Sequence, residues 1–229
     1  MSASVVHKYV ACIRAETDVQ YAMRGRRRTR YDDFHIQQSE LDGACGLVTV
    51  LQCAMALGGI RRKEVEEIAS AKSGPLRALW TLARRDYFTG TTEQELERMV
   101  AVFSPMLTCK VVKSSRRDTL GREIVRAIDA GHIPILGLHS RTFRHWTLIV
   151  GYERYANKTR PLALLSLDAS DSRPHWGVFY NARCAMTPSA FAGKSRKPKK
   201  YCLRYASTDG ETHLVRLQGL VIVKRGQPP

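Results

Sequence analysis

The spacing of apolar positions changes midway along the chain. Residues 45 to 57 (CGLVTVLQCAMAL) carry Leu47, Val48, Val50, Leu51, Ala54, Met55 and Leu57, apolar on nearly every side, and predict a buried helix. Asp42-Gly43-Ala44 reads as the turn before it and Gly58-Gly59 as its stop. Helical patterns follow over 60–71, 75–87 and 92–103, the last opened by Thr92 and Glu95 at capping-box spacing. Beyond residue 107 the pattern shortens to strands, predicted over 108–112, 133–138, 145–153, 162–168, 176–180, 200–206 and 213–225. One amphipathic helix, 119–130, interrupts them and ends at Gly131. Helices first and an antiparallel sheet second make an α+β layout.

Composition narrows the class. With 229 residues and 44% hydrophobic content the chain can bury a sizeable core. No apolar run approaches the ~20 residues needed to span a bilayer, and the first eighteen residues are too polar for a secretory signal, so a soluble chain made in a cytoplasm is expected, without a membrane partner. Six cysteines without CxxC pairs, and seven histidines without HExxH or HxH, predict reduced thiols, no structural metal and no cofactor. The net charge of +16 is concentrated in two runs: Arg24, Arg26, Arg27, Arg28 and Arg30, then Lys194, Arg196, Lys197, Lys199 and Lys200. Such runs are either solvated loops or an electrostatic footprint for nucleic acid or an acidic protein. No aromatic residues interleave with them as base-stacking platforms would require.

Cysteine is among the most often buried residue types, so Cys45 alone reads as core. Its place in the first turn of a buried helix supports a second reading, because free N–H groups and the helix dipole there favour the thiolate. Cys53, within the same helix, has no such help and reads as core; Cys12, Cys109, Cys184 and Cys202 also lack a site-like context. A thiolate enzyme needs a base from another element. His145 opens the apolar strand HWTLIVGYE, and Asp168 ends the next one, LALLSLD. Paired as an antiparallel hairpin, these strands bring the two side chains to one edge, where Asp168 can orient the imidazole. The ordinary readings are a strand-end histidine and a turn-forming aspartate. His139 is the rival base and Asp171 the reserve acid.

These residues carry a resemblance. Gln-(polar loop)-Asp-Gly-Ala-Cys-Gly at a helix start, then GHIPILGL, HWTLIVGY and LSLD, resemble papain-like cysteine peptidases. The nearest subgroup is the bacterial type that removes leader peptides at double-glycine sites, with its relatives among secreted antibacterial toxins and effectors. The similarity spans roughly residues 34 to 180, with Cys45, His145 and Asp168 in the family's order. It implies a papain-like fold, an N-terminal helical lobe at about 34–107 and a C-terminal antiparallel sheet lobe at about 108–229, after a basic extension at 1–33. It also implies an oxyanion hole built by a glutamine and the N–H of the cysteine. Gln38 is the favoured glutamine and Gln37 the reserve, seven and eight residues before Cys45 where the family has six.

The activity so implied is a cysteine protease (thiol hydrolase) that cleaves an intracellular target protein, with a preference for Gly-Gly sites. The resemblance further implies a role in interbacterial competition, delivery by a secretion system into a target cell, and an immunity protein whose acidic face covers the cleft. The alternatives are glutamine deamidation or acyl transfer on the same triad, and a non-enzymatic basic module binding nucleic acid or protein.

Overall fold

The computed structural model describes residues 4–16, 19–22, 34–38, 43–85, 87, 89–113, 117–142, 144–174, 180–186, 203–207, 210 and 212–226. The expected strand at 176–180, all but its last residue, lies outside these, as do both basic runs, Cys202 and His175. The helices are α1 (Cys45–Ala56), α2 (Arg62–Glu66), α3 (Gly74–Ala83), α4 (Glu93–Ala101) and α5 (Arg117–Asp129). The strands are β1 (Val5–Tyr9), β2 (Ile13–Glu16), β3 (Val19–Ala22), β4 (Leu107–Val111), β5 (Ile133–His139), β6 (Arg144–Tyr155), β7 (Pro161–Leu167), β8 (Ala182–Met186), β9 (Leu203–Ser207) and β10 (Thr212–Arg225).

Strands β6, β5, β10, β9, β8 and β7 pair antiparallel in that order, and β7 pairs back onto β6, closing a six-stranded barrel. β1 adds to the barrel on β6 and β4 on β10, while β2 and β3 form a separate hairpin. This overturns the expected papain-like arrangement of a helical lobe beside a sheet lobe. The helices are few and build no lobe of their own: α1 packs on β6, α4 on β4 and β10, and α5 on β5 and β10. One apolar core joins them to the barrel, with Val50 and Leu51 of α1, Leu79 of α3, Met99 of α4 and Ile124 of α5 in the same cluster as Ile135, Leu148 and Val221. The reason lies in two long strands. β6 has 12 residues and β10 has 14, enough for each to serve three partners at once, which draws the sheet into a closed ring.

The first strand joins the same sheet. β1 registers on β6 from Val5↔Tyr155 to Tyr9↔Gly151, and Val10 behind it is fully buried. Gly151 allows this approach, since a Cβ there would stand 2.9 Å from the Tyr9 ring.

All twelve residues of α1 are buried, which matches its all-round apolar pattern. α4 begins where Thr92 and Glu95 place it: Glu95 N–H donates to Thr92 Oγ1 at 3.3 Å, and Thr92 N–H donates to Glu95 Oε2 at 2.6 Å. The predicted 60–71 helix is divided at Glu67 into α2 and a 3-10 turn over Ile68–Ser70.

Candidate active site

Three elements meet at the start of α1. Thr49 Oγ1 donates to the Trp146 carbonyl at 3.2 Å and fixes α1 to β6 one turn beyond Cys45. Trp146 Nε1 donates to the Thr91 carbonyl at 2.7 Å and fixes the loop before α4 to the same strand. Gly46 lies directly beneath the Thr91 side chain, where any Cβ would collide with it. Gly43 N–H donates to the Tyr87 carbonyl at 2.8 Å, closing the turn that leads into the helix. These ties bring Cys45 to the edge of β6 from 100 residues away in the chain.

His145 and Asp168 come together through the β6–β7 hairpin. β7 ends at Leu167 opposite Leu148, and Asp168 lies one residue beyond, with His145 Nε2 2.6 Å from its Oδ1. The other imidazole nitrogen is thereby left for the hydrogen bond between His145 and the Cys45 thiol. Cys45, His145 and Asp168 form one chain of contacts. Asp168 is fully buried, while Cys45 and His145 line a cleft of about 600 Å³.

The charges in this chain depend on each other. Burial alone would raise the Cys45 pKa, but the hydrogen bond and charge of His145 and the Trp146 backbone N–H outweigh it, so the net shift is downward. Burial would likewise lower the His145 pKa, yet the charge and hydrogen bond of Asp168, with the thiolate, hold it well above the ordinary value. Burial opposes ionisation of Asp168 too, and His145, Tyr205 and Ser170 reverse this, bringing its pKa down to about 2. Both shifts move the pair in the direction of a thiolate and an imidazolium. Elsewhere burial dominates: it raises Cys12 and Cys109 to about 11 and moves Cys53 and Cys184 upward as well.

A buried polar cage that the sequence reading missed holds Asp168. Tyr205 on β9 donates its hydroxyl to Asp168 Oδ2, and Ser170 donates to Oδ1 from both its N–H and its hydroxyl, at 2.8 and 2.7 Å. Asn181 accepts from the Asp168 N–H at 2.6 Å and donates to its carbonyl at 2.7 Å and to that of Ser172 at 2.8 Å. His35 Nε2 reaches the Asp168 carbonyl at 3.1 Å. The reserve acid, Asp171, stands 3.4 Å from the Tyr205 hydroxyl, further than Asp168. No local pattern marks Tyr205 or Asn181, because each arrives from a strand or turn distant in the chain.

Tyr205→Phe tests the cage. It removes a hydrogen bond to a buried carboxylate, so stability should fall by about 1.5–3 kcal/mol and activity by about three- to tenfold through a less firmly held imidazole. Urea unfolding and kcat would be measured together; an unchanged denaturation midpoint and rate would mean that Tyr205 does not support the acid.

The rival base is otherwise engaged, since His139 Nδ1 accepts from Arg216 Nε at 2.9 Å. Gln38 is half-buried, with its N–H donating to the Ala169 carbonyl at 2.7 Å, and Gln37 is exposed, so this segment runs beside the turn that carries Asp168. The glutamines that line the cleft among the described residues are Gln94 and Gln218. Gln218 is the extra residue of a bulge: β10 pairs Leu217↔Leu138 and then Gly219↔Gly137, and bulges of this kind re-aim side chains beside active sites. Among the described residues, no group of three His, Cys, Asp or Glu side chains could hold a metal ion, and no helix is long and apolar enough to cross a membrane. In comparison with known proteins, no family model matches this chain and no curated protein matches it.

Proposed function

We propose that the protein is a cysteine-type peptidase acting on protein substrates through Cys45, His145 and Asp168. One observation carries this reading: the only described cysteine whose pKa is lowered is the one hydrogen-bonded to a histidine that is itself held by a buried carboxylate, at the wall of an open cleft.

The Cys45 thiolate attacks the amide carbonyl carbon and forms the C–S bond, moving the π pair onto oxygen. The Cys45 N–H and other first-turn N–H groups of α1 meet that charge; Gln38, the expected second donor, is not among the residues that line the cleft. As the oxyanion collapses, the C–N bond breaks and the His145 imidazolium gives its proton to the departing amine. The neutral imidazole then takes a proton from water as that water attacks the thioester. The C–S bond breaks, the acid leaves, and thiolate and imidazolium are restored. Asp168 keeps the imidazole oriented throughout and stabilises its charged form whenever the proton is on it.

At pH 7 iodoacetamide should label Cys45 at least about tenfold faster than any other cysteine, as read by mass spectrometry of tryptic peptides. In cells, new peptide termini should appear with the wild-type protein and be absent with Cys45→Ala. If Cys45 labels no faster than Cys109, or the termini are identical for both proteins, the proposal fails.

A further inference from the structure

The cleft that holds Cys45 and His145 also carries a carboxylate that the proposed reaction does not use. α4 has two first-turn acids, and only Glu95 is spent on the capping box. Glu93, half-buried, instead lies over Gly219 of β10, and a Cβ at 219 would collide with its carboxylate. A carboxylate needed only for the helix dipole could stand in solvent; this one is turned onto the floor of the cleft. Among the described residues it makes no ion pair, and Arg144, the other charged residue of the lining, is not within bonding distance of it.

The sheet register sets its distance from the chemistry. Trp146, Gly137 and Gly219 lie side by side on β6, β5 and β10. Two strand spacings put Glu93 about 10 Å from the strand that carries His145. That is too far to touch the imidazole and too far for a short substrate side chain, but it suits a long one. Between them the rim of the Trp146 ring reaches the cleft; the ring crosses Gly137, 2.9 Å from where a Cβ would stand, and is otherwise buried at 5% exposure. An alkyl stem can rest on that indole while its charged end meets Glu93. The overall positive charge of the chain does not forbid this, since distant charges are screened over about 8 Å and Glu93 is the acidic residue of the lining, with Arg144 placed beside His145 on β6.

We propose that Glu93 is the specificity-determining residue of the cleft, and that the substrate is a polypeptide with a lysine or arginine side chain next to the bond Cys45 attacks. This rests on the hydrolase reading of Cys45. It replaces a preference for Gly-Gly sites with one for a cationic side chain.

Peptidyl acyloxymethyl ketones bearing lysine, norleucine or glutamate beside the reactive carbonyl test it, through the second-order rate of labelling at Cys45. Wild type should favour lysine over norleucine by about tenfold, the scale of one charge-assisted hydrogen bond, with glutamate slowest. In Glu93→Gln that ratio should fall to about one, and in Glu93→Lys the order should invert toward glutamate. Gly219→Ala, which displaces the carboxylate but keeps its charge, should also lose the ratio. Equal labelling by all three reagents in wild type, or an unchanged ratio in Glu93→Gln, overturns the inference and leaves the hydrolase reading standing. Failure of all three to label Cys45 in folded wild type removes the hydrolase reading and this inference with it.

Discussion

Cys45→Ala and His145→Ala are each expected to lower kcat/KM on a peptide substrate by at least about 10⁴-fold while the protein stays folded. In the proposed reaction the sulfur forms the bond to substrate carbon and the imidazolium supplies the proton that lets the amine leave, and among the described residues of the cleft no second thiol or imidazole stands in for either. The two act as one unit, and the double variant should be little worse than either single one. Folding should survive Cys45→Ala, since only a sulfur at the cleft wall is removed, at a cost of about 1 kcal/mol. His145→Ala has a second readout. Without the imidazolium, burial is left to dominate at Cys45, so its thiol should titrate higher and react slowly with iodoacetamide at pH 7. Turnover near the wild-type level in pure Cys45→Ala protein, with an unchanged urea midpoint, would sink the nucleophile assignment.

Asp168→Asn should reduce kcat by about 10²-fold, less than loss of Cys45, because an orienting carboxylate is not consumed in the reaction. Asparagine is the informative choice. It keeps the volume and an acceptor oxygen for His145, whereas alanine would strand the donors of His145, Ser170 and Tyr205 together. The same variant should alter stability against pH. The Asp168 pKa is depressed from 3.8 to about 2, so its contribution is complete above pH ~4 and is lost as pH falls toward 2; it amounts to about 2 kcal/mol. The raised pKa of His145 acts in the opposite sense, with its contribution full below the ordinary value of 6.5 and lost as pH rises through the folded one. Urea unfolding of Asp168→Asn should therefore lack the acid-side loss between pH 4 and 2. An active Asp168→Asn beside an inactive Asp171→Asn would move the acid role to Asp171.

Parts of this architecture were legible because they are local. α1 follows from its all-round apolar run between Gly43 and Gly58, and α4 from the Thr92–Glu95 spacing. The pairing of β6 with β7 follows from two successive apolar strands and a short turn, which is why His145 and Asp168 could be placed together. β8 is hard to read because ARCAM is short and carries a charge at its second position, where Arg183 reaches the buried Glu153 at 2.6 Å. β1 went unread for a related reason: VVHKY is almost entirely exposed and shows no buried face.

The sequence by itself determined the local elements, the chemistry available to Cys45, His145 and Asp168, and the hairpin that joins the last two, since turn and period-2 pattern are properties of neighbouring residues. Only the tertiary structure decided that the sheet closes into a barrel, that Tyr205 and Asn181 enclose Asp168, and that Glu93 and Cys45 line the same cleft. Each of those depends on which distant strands pair, through β10 meeting β4, β5 and β9 together. Such pairings are selected by the packing of one shared core against the entropy of closing long loops, a balance that no short stretch of sequence encodes.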